Sequence, residues 1–226
     1  RVVEIWNNVF MEFLAKDGKV ISKLENRNVD TGAGFERMVA VVQDKQSIFD
    51  TDIFESILNK IDELNSSGVT NKWAERVIAD HVRTSVLMIS DGVVPSNTDR
   101  GYILRRLLRR AVRFADSIDL KENGLTEIVK TIQDLYKDIY PKTKDEKIIS
   151  IVVDEETKFR RTLMQGIKEF EGGADPFVLF SSYGFPIELT EELAKEKGTE
   201  IDRKDFDEKF KKHQELSRAG SEQKFN

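Results

Sequence analysis

Val29-Asp30-Thr31-Gly32-Ala33-Gly34-Phe35-Glu36-Arg37 is the stretch whose reading decides this fold. An apolar residue leads into an acid, and two glycines one residue apart let the backbone come close to a ligand. Arg37 falls on the first turn of the apolar segment 38–42 that follows. Such a passage either holds a phosphate on backbone N–H groups or simply joins a strand to a helix tightly; the Gly-x-Gly pattern alone does not decide. A helix macrodipole favours acids in its first turn, so an arginine there points to an anionic ligand. Asp30 either caps the turn or binds an ammonium group.

Outward from this stretch, residues 2–13 are rich in β-branched and aromatic side chains and read as a strand. Asp17-Gly18 supplies a hairpin turn, and residues 19–24 return antiparallel. Asn7, in the first strand, is either solvent-facing or a hydrogen-bonding group in a pocket. After the glycine stretch the pattern turns helical. The periodicity predicts helices over 52–64, 72–90, 101–115, 125–139 and 145–170, a short apolar segment over 177–180, and two charged helices at the end. The change of pattern near Asp50 divides a small β-containing part, 1–50, from an α-helical part, 51–226. The fold class expected is α+β, predominantly α-helical.

At 226 residues the chain holds one large domain or two small ones. It carries 34% charged residues and a net charge of -5, with no apolar run long enough to span a membrane. It has no cysteine, which excludes disulfides and thiolate metal sites and suits a reducing cytoplasm. With only His81 and His213, a histidine-rich metal site is not expected. His81 reads as a packed helix residue rather than a catalyst. The chain starts at Arg1 with no initiator methionine or signal-like segment, which reads as a piece of a longer protein.

The helix after Asn97 carries the clearest charge signal. Arg100, Arg105, Arg106, Arg109, Arg110 and Arg113 lie within one fourteen-residue span that contains no acid. At about 100° per residue, Ile103, Leu104, Leu107, Leu108, Ala111 and Val112 share one half of the helix and the arginines from Arg105 onward share the other. Two readings stand. The ridge is either a solvated face paired with neighbouring acids, or a surface for a phosphate backbone, whose oxygens match arginine forks.

The glycine stretch, as Asp30-Thr31-Gly32-Ala33-Gly34-Phe35-Glu36-Arg37, resembles motif 3 of the class II aminoacyl-tRNA synthetases in its alanyl form. Glu4-Ile5-Trp6-Asn7-Asn8-Val9-Phe10-Met11 before it and Arg76-Val77-Ile78-Ala79-Asp80-His81 after it resemble further stretches of the same family. The resemblance continues through Asp91-Gly92-Val93-Val94-Pro95-Ser96-Asn97, Arg100-Gly101-Tyr102-Ile103-Leu104-Arg105-Arg106 and Tyr183-Gly184-Phe185-Pro186, and it covers nearly the whole chain. It implies the end of a class II antiparallel-sheet catalytic domain followed by a helical tRNA-recognition domain.

On individual residues the resemblance implies that Asn7, Asp30 and Gly32 bind alanine, and that Gly34 and Arg37 contact ATP, Arg37 stabilising charge as pyrophosphate leaves. ATP would be a substrate, accompanied by Mg2+, with no metal site in this segment. The acceptor stem of tRNA(Ala) would meet Asn97, Arg100, Arg105, Arg106, Arg109, Arg110 and Ser181, with Asn97 at the minor groove of a G·U wobble pair. A cytoplasmic setting is implied.

Two departures bear on this. Where the family has an aspartate as second reader of the wobble pair, this chain has Ser181, which keeps hydrogen bonding and loses the charge. Nothing in the chain resembles motifs 1 and 2 or the zinc-binding editing domain, so flanking N-terminal catalytic and C-terminal editing segments are expected. The 226 residues alone are expected not to aminoacylate. The alternative is a non-catalytic module that binds the acceptor stem.

Overall fold

The computed structural model describes residues 2–121 and 123–222, with side chains as far as 213. The described chain is mostly helical, with one small antiparallel sheet. β1 (Trp6–Lys16) and β2 (Lys19–Ala33) form that sheet. Asp17 and Gly18 close it with φ of 50° and 74°, the paired positive angles that a two-residue hairpin turn needs.

β2 does not end near residue 24 but runs on to Ala33, so Asp30 and Gly32 stand in a strand and only Gly34 makes the passage to the helix. Residues 25–28 are polar and give no alternating signal. Pairing with the front half of β1, from Met11↔Asn28 to Trp6↔Ala33, supplies the order instead. The register shifts between Met11 and Phe13, where β2 has extra residues, as at a bulge.

α1 (Phe35–Val42), a single 3-10 turn (Ile48–Asp50) and α2 (Asp52–Leu64) follow. The chain divides into two compact units, one ending at Ile57 and one beginning at Leu58, so the division falls inside α2.

The second unit contains α3 (Lys72–Ser90), α4 (Asp99–Ser117), α5 (Gly124–Tyr136), α6 (Lys147–Glu171), α7 (Pro176–Tyr183), α8 (Ile187–Glu196) and α9 (Arg203–Glu222). α3 starts where Asn71 Oδ1 accepts from the Ala74 N–H at 3.1 Å and Glu75 accepts from the Asn71 N–H at 3.2 Å. This reciprocal pairing satisfies donors that the first turn leaves open. Gly92 stops the helix with φ of 87°, and the Val93 N–H returns to the Met88 carbonyl at 3.1 Å.

α4 packs on α3 and α6, and α7 packs on α6, α8 and α9. Leu104, Leu108, Ala111 and Val112 of α4 are buried together with Ile78, Val82 and Val86 of α3 and Val152, Phe159 and Leu163 of α6. Each large apolar side chain among them contributes about 1.5–3 kcal/mol of burial. The buried stripe of α4 is narrower than the sequence suggests. Ile103 and Leu107, one turn apart at its edge, are exposed and half-buried respectively. The segment 177–180 belongs to a helix, α7, capped by Asp175, whose carboxylate accepts from the Phe177 N–H at 2.8 Å.

Candidate nucleic-acid interface and substrate face

In the first unit, strand register gathers the residues expected at the substrate. Asn7 pairs with Gly32, and Val9 pairs with Asp30. Cross-strand partners share a face, as do residues two apart, so Asn7, Asp30 and Gly32 lie together on one face of the hairpin. The opposite face holds a separate chain: Trp6 Nε1 donates to Thr31 Oγ1 at 2.6 Å, and that hydroxyl donates to Asn8 Oδ1 at 2.7 Å. A methyl group added at Gly32 would meet nothing within 4 Å, so packing inside this chain does not require the glycine.

Gly34 is the N-cap residue of α1, its N–H donating to the Ile5 carbonyl at 3.0 Å. Arg37 reaches back along the same side, its Nη1 donating to the Glu4 carbonyl at 2.9 Å. Both faces of β1 are exposed, as are Asp30 and Arg37. Among the described residues no group of three or more His, Cys, Asp or Glu side chains is gathered as metal ligands.

In the second unit the arginines of α4 meet acids from distant parts of the chain. Arg106 Nη1 donates to Glu188 at 2.8 Å, Arg110 Nε to Glu192 at 2.7 Å, and Arg113 Nη2 to Glu196. Three glutamates spaced one turn apart on α8 thus face three arginines spaced likewise on α4. Arg110 Nη1 also donates to His81 Nε2 at 2.7 Å. That nitrogen must then be the acceptor, which puts the ring proton on Nδ1, where it donates to Asp80 at 2.9 Å.

Arg109 is the most enclosed link. Its Nε and Nη2 lie 2.7 and 2.6 Å from one Glu155 oxygen, Nη1 donates to the Gly184 carbonyl, and its guanidinium covers the Phe159 ring at 5.2 Å. Burial pushes the Arg109 guanidinium below its ordinary value, and the Glu155 carboxylate opposes that shift. Glu155 is only 4% exposed. Arg105 Nε lies 3.3 Å from the same carboxylate oxygen, close enough for attraction but without hydrogen-bond alignment. A free basic ridge is thus not what forms; Arg106, Arg109, Arg110 and Arg113 are committed inside the protein. Arg100 differs, being exposed with no ion-pair partner among the described residues.

The start of α4 and the end of α7 enclose a cavity of about 340 Å³, which contains Asn97, Tyr102, Arg105, Arg109, Ser181 and Gly184 on its walls. Gly101 lets the preceding loop close on the helix. A Cβ there would stand 2.2 Å from Ser96 Oγ and 2.5 Å from the Val94 carbonyl oxygen. Gly184, with φ of 69°, turns the chain after α7 so that its carbonyl meets Arg109. Asn97 Oδ1 accepts from Arg105 Nη1, which fixes the side chain. Ser181 is exposed and makes one long contact, to the Val178 carbonyl at 3.5 Å. Burial, and after it the Glu188 carboxylate, raise the Tyr102 phenol above its usual value.

The family model described as "tRNA synthetases class II (A)" matches residues 1–226. The chain belongs to this family. It is similar to proteins named alanine–tRNA ligase. That of Shouchella clausii is 40% identical, over 99% of this chain and 27% of the relative. The Borrelia hermsii protein is 38% identical, over 98% and 41% respectively. That of Thermotoga sp. is 41% identical, over 97% and 27%. The chain therefore spans about a quarter to two-fifths of the length of these synthetases.

Sequence reasoning missed Glu155, the middle of the acidic run Asp154-Glu155-Glu156 on α6, where nothing local tells it apart from its neighbours. Glu188, Glu192 and Glu196 did carry a signal, since they recur once per helical turn, as do the arginines they meet. Tyr102 lay inside a quoted motif without a role. No helix among the described residues is long and apolar enough to cross a membrane.

Proposed function

We propose that this chain is a segment of an alanine–tRNA ligase. Residues 1–50 close an antiparallel-sheet catalytic domain, and the helical remainder recognises the acceptor stem of tRNA(Ala). In the complete cytoplasmic enzyme, alanine is activated with ATP to alanyl-adenylate and then transferred to the 3′ end of the tRNA. Asn7 and Asp30 hold the amino acid beside Gly32, while Gly34 and Arg37 meet the ATP phosphates. Their common strand face and the short link from Arg37 to the Glu4 carbonyl support this division of labour.

The observation that carries the reading is the meeting of Asn97, just before α4, and Ser181, on α7, in one cavity. Exposed Arg100 stands near Asn97 in sequence as a cation for the RNA backbone. Arg105 and Arg109, on the cavity wall, are held by Glu155.

Binding of the chain to an acceptor-stem duplex tests this, with G·U and G·C versions compared across a salt series. Preference for G·U is expected, with affinity falling about 0.7–0.9 log units per tenfold rise in salt for each phosphate contact. Failure to bind either duplex sinks the proposal.

The isolated chain is further proposed to be catalytically silent. Adenylate formation without a covalent intermediate depends on positioning and on charges aimed in a water-poor site. Here Asp30 on the hairpin and Arg37 on α1 stand open to solvent. Alanine-dependent pyrophosphate exchange by these 226 residues would refute that.

A further inference from the structure

The cavity that contains Asn97 and Ser181 has a third wall, from α9. Phe206 and Phe210 stack at 5.8 Å with planes 12° apart, and Phe180 of α7 meets Phe210 edge-on at 5.2 Å. Lys209 adds an ion pair to Asp175, the α7 cap. These contacts fix the rotation of α9. His213, one turn after Lys209 and Phe210, consequently lines the same cavity. Its ring rests on Phe177 at 5.6 Å. Neither ring nitrogen has a hydrogen-bond partner among the described residues.

The other polar groups of the cavity offer hydroxyls, on Thr98, Tyr102 and Ser181, but no carboxylate or ring nitrogen. Asn97 Oδ1 is taken by Arg105, and the Gly184 carbonyl is taken by Arg109. Arg105 and Arg109 are donors only. Ser181 has no charge where a carboxylate would provide one. A neutral imidazole offers one nitrogen lone pair and one N–H.

The minor groove of an RNA helix is wide and shallow enough for side chains to enter, and guanine places its 2-amino donor there. In a G·U wobble that amino group has no partner on the opposite base. We infer that His213 is a specificity-determining residue, its ring nitrogen accepting a hydrogen bond from the guanine 2-amino group of the wobble pair. Asn97 and Ser181 bind beside it. This rests on the acceptor-stem reading above and adds to it a reader that stands in for the missing carboxylate.

The test compares an acceptor-stem duplex with G·U against the same duplex with inosine·U, which lacks only the 2-amino group. The unaltered chain is expected to prefer G·U by at least about fivefold. His213→Phe keeps a ring against Phe177 and removes the acceptor. It should bring the ratio to within about twofold of one while leaving affinity for inosine·U and the melting temperature unchanged. His213→Gln, which keeps an acceptor, should retain much of the preference.

If His213→Phe keeps the full ratio, the histidine is a packing residue and the inference is overturned while the acceptor-stem reading stands. An equal loss on both duplexes overturns it too, since His213 would then be a general RNA contact. If the unaltered chain binds both duplexes equally, recognition of the amino group fails at any residue. If it binds neither, the functional reading fails and takes this inference with it.

Discussion

Replacing Glu155 by alanine removes the anion shared by Arg105 and Arg109. The carboxylate is nearly inaccessible, and Arg109, at 14% side-chain exposure, cannot shed its proton. Losing one partner of a buried ion pair costs about 3–5 kcal/mol, because the other charge stays desolvated. Arg109 keeps the Gly184 carbonyl and the face of Phe159, so the lower end, about 3 kcal/mol, applies here. For a domain of 150–250 residues each kcal/mol moves the melting temperature about 2–4 °C, giving a drop of about 6–12 °C. Glu155→Gln retains an acceptor and should fall by less. The pair is buried and weakly screened, so the drop should persist from low salt to 0.5 M. Calorimetry or circular dichroism at both salt concentrations reads it. A drop below about 2 °C, or one that vanishes in high salt, would show that Glu155 is not the buried counter-charge described above. The substitution should also weaken acceptor-stem binding, since Arg105 positions Asn97.

Other outcomes follow from particular contacts. Gly101→Ala should destabilise by about 1–3 kcal/mol, since its methyl group would overlap Ser96 and the Val94 carbonyl. Gly32→Ala should stay within about 0.5 kcal/mol in the same melting assay, because the added carbon meets only open space. A hydrogen bond from Lys209 holds the Asp175 carboxyl below its ordinary value. Its contribution is therefore complete above the unfolded carboxylate range and disappears as pH falls through the depressed folded value. Asp175→Asn should lower the melting temperature near pH 7, with the difference shrinking below about pH 3.9. Arg100→Ala should reduce the salt slope of RNA binding by about 0.7–0.9, whereas Arg113→Ala, whose cation already holds Glu196, should lower stability without changing that slope.

Local sequence settled much of the architecture. Asp17-Gly18 marked the hairpin and the helix over 72–90 ended where Gly92 stops it, because positive φ is a property of a few adjacent residues. The apolar period of α3 and α6 likewise needed no knowledge of partners. The length of β2 was not legible, since the polar residues 25–28 give no alternating signal and the strand resumes through pairing of 28–33 with the front half of β1. The gathering of Asn7, Asp30 and Gly32 depended on register, which the turn and the bulge fix jointly.

The sequence by itself determined that α4 carries a dense row of arginines on the side away from its core stripe. Only the tertiary structure decided what those charges do. Charge density is local, whereas its neutralisation needs α6 and α8 to bring Glu155, Glu188, Glu192 and Glu196 alongside from far along the chain. The same long-range packing sets His213 beside Asn97 and Ser181, so the identity of each residue was readable while their shared cavity was not.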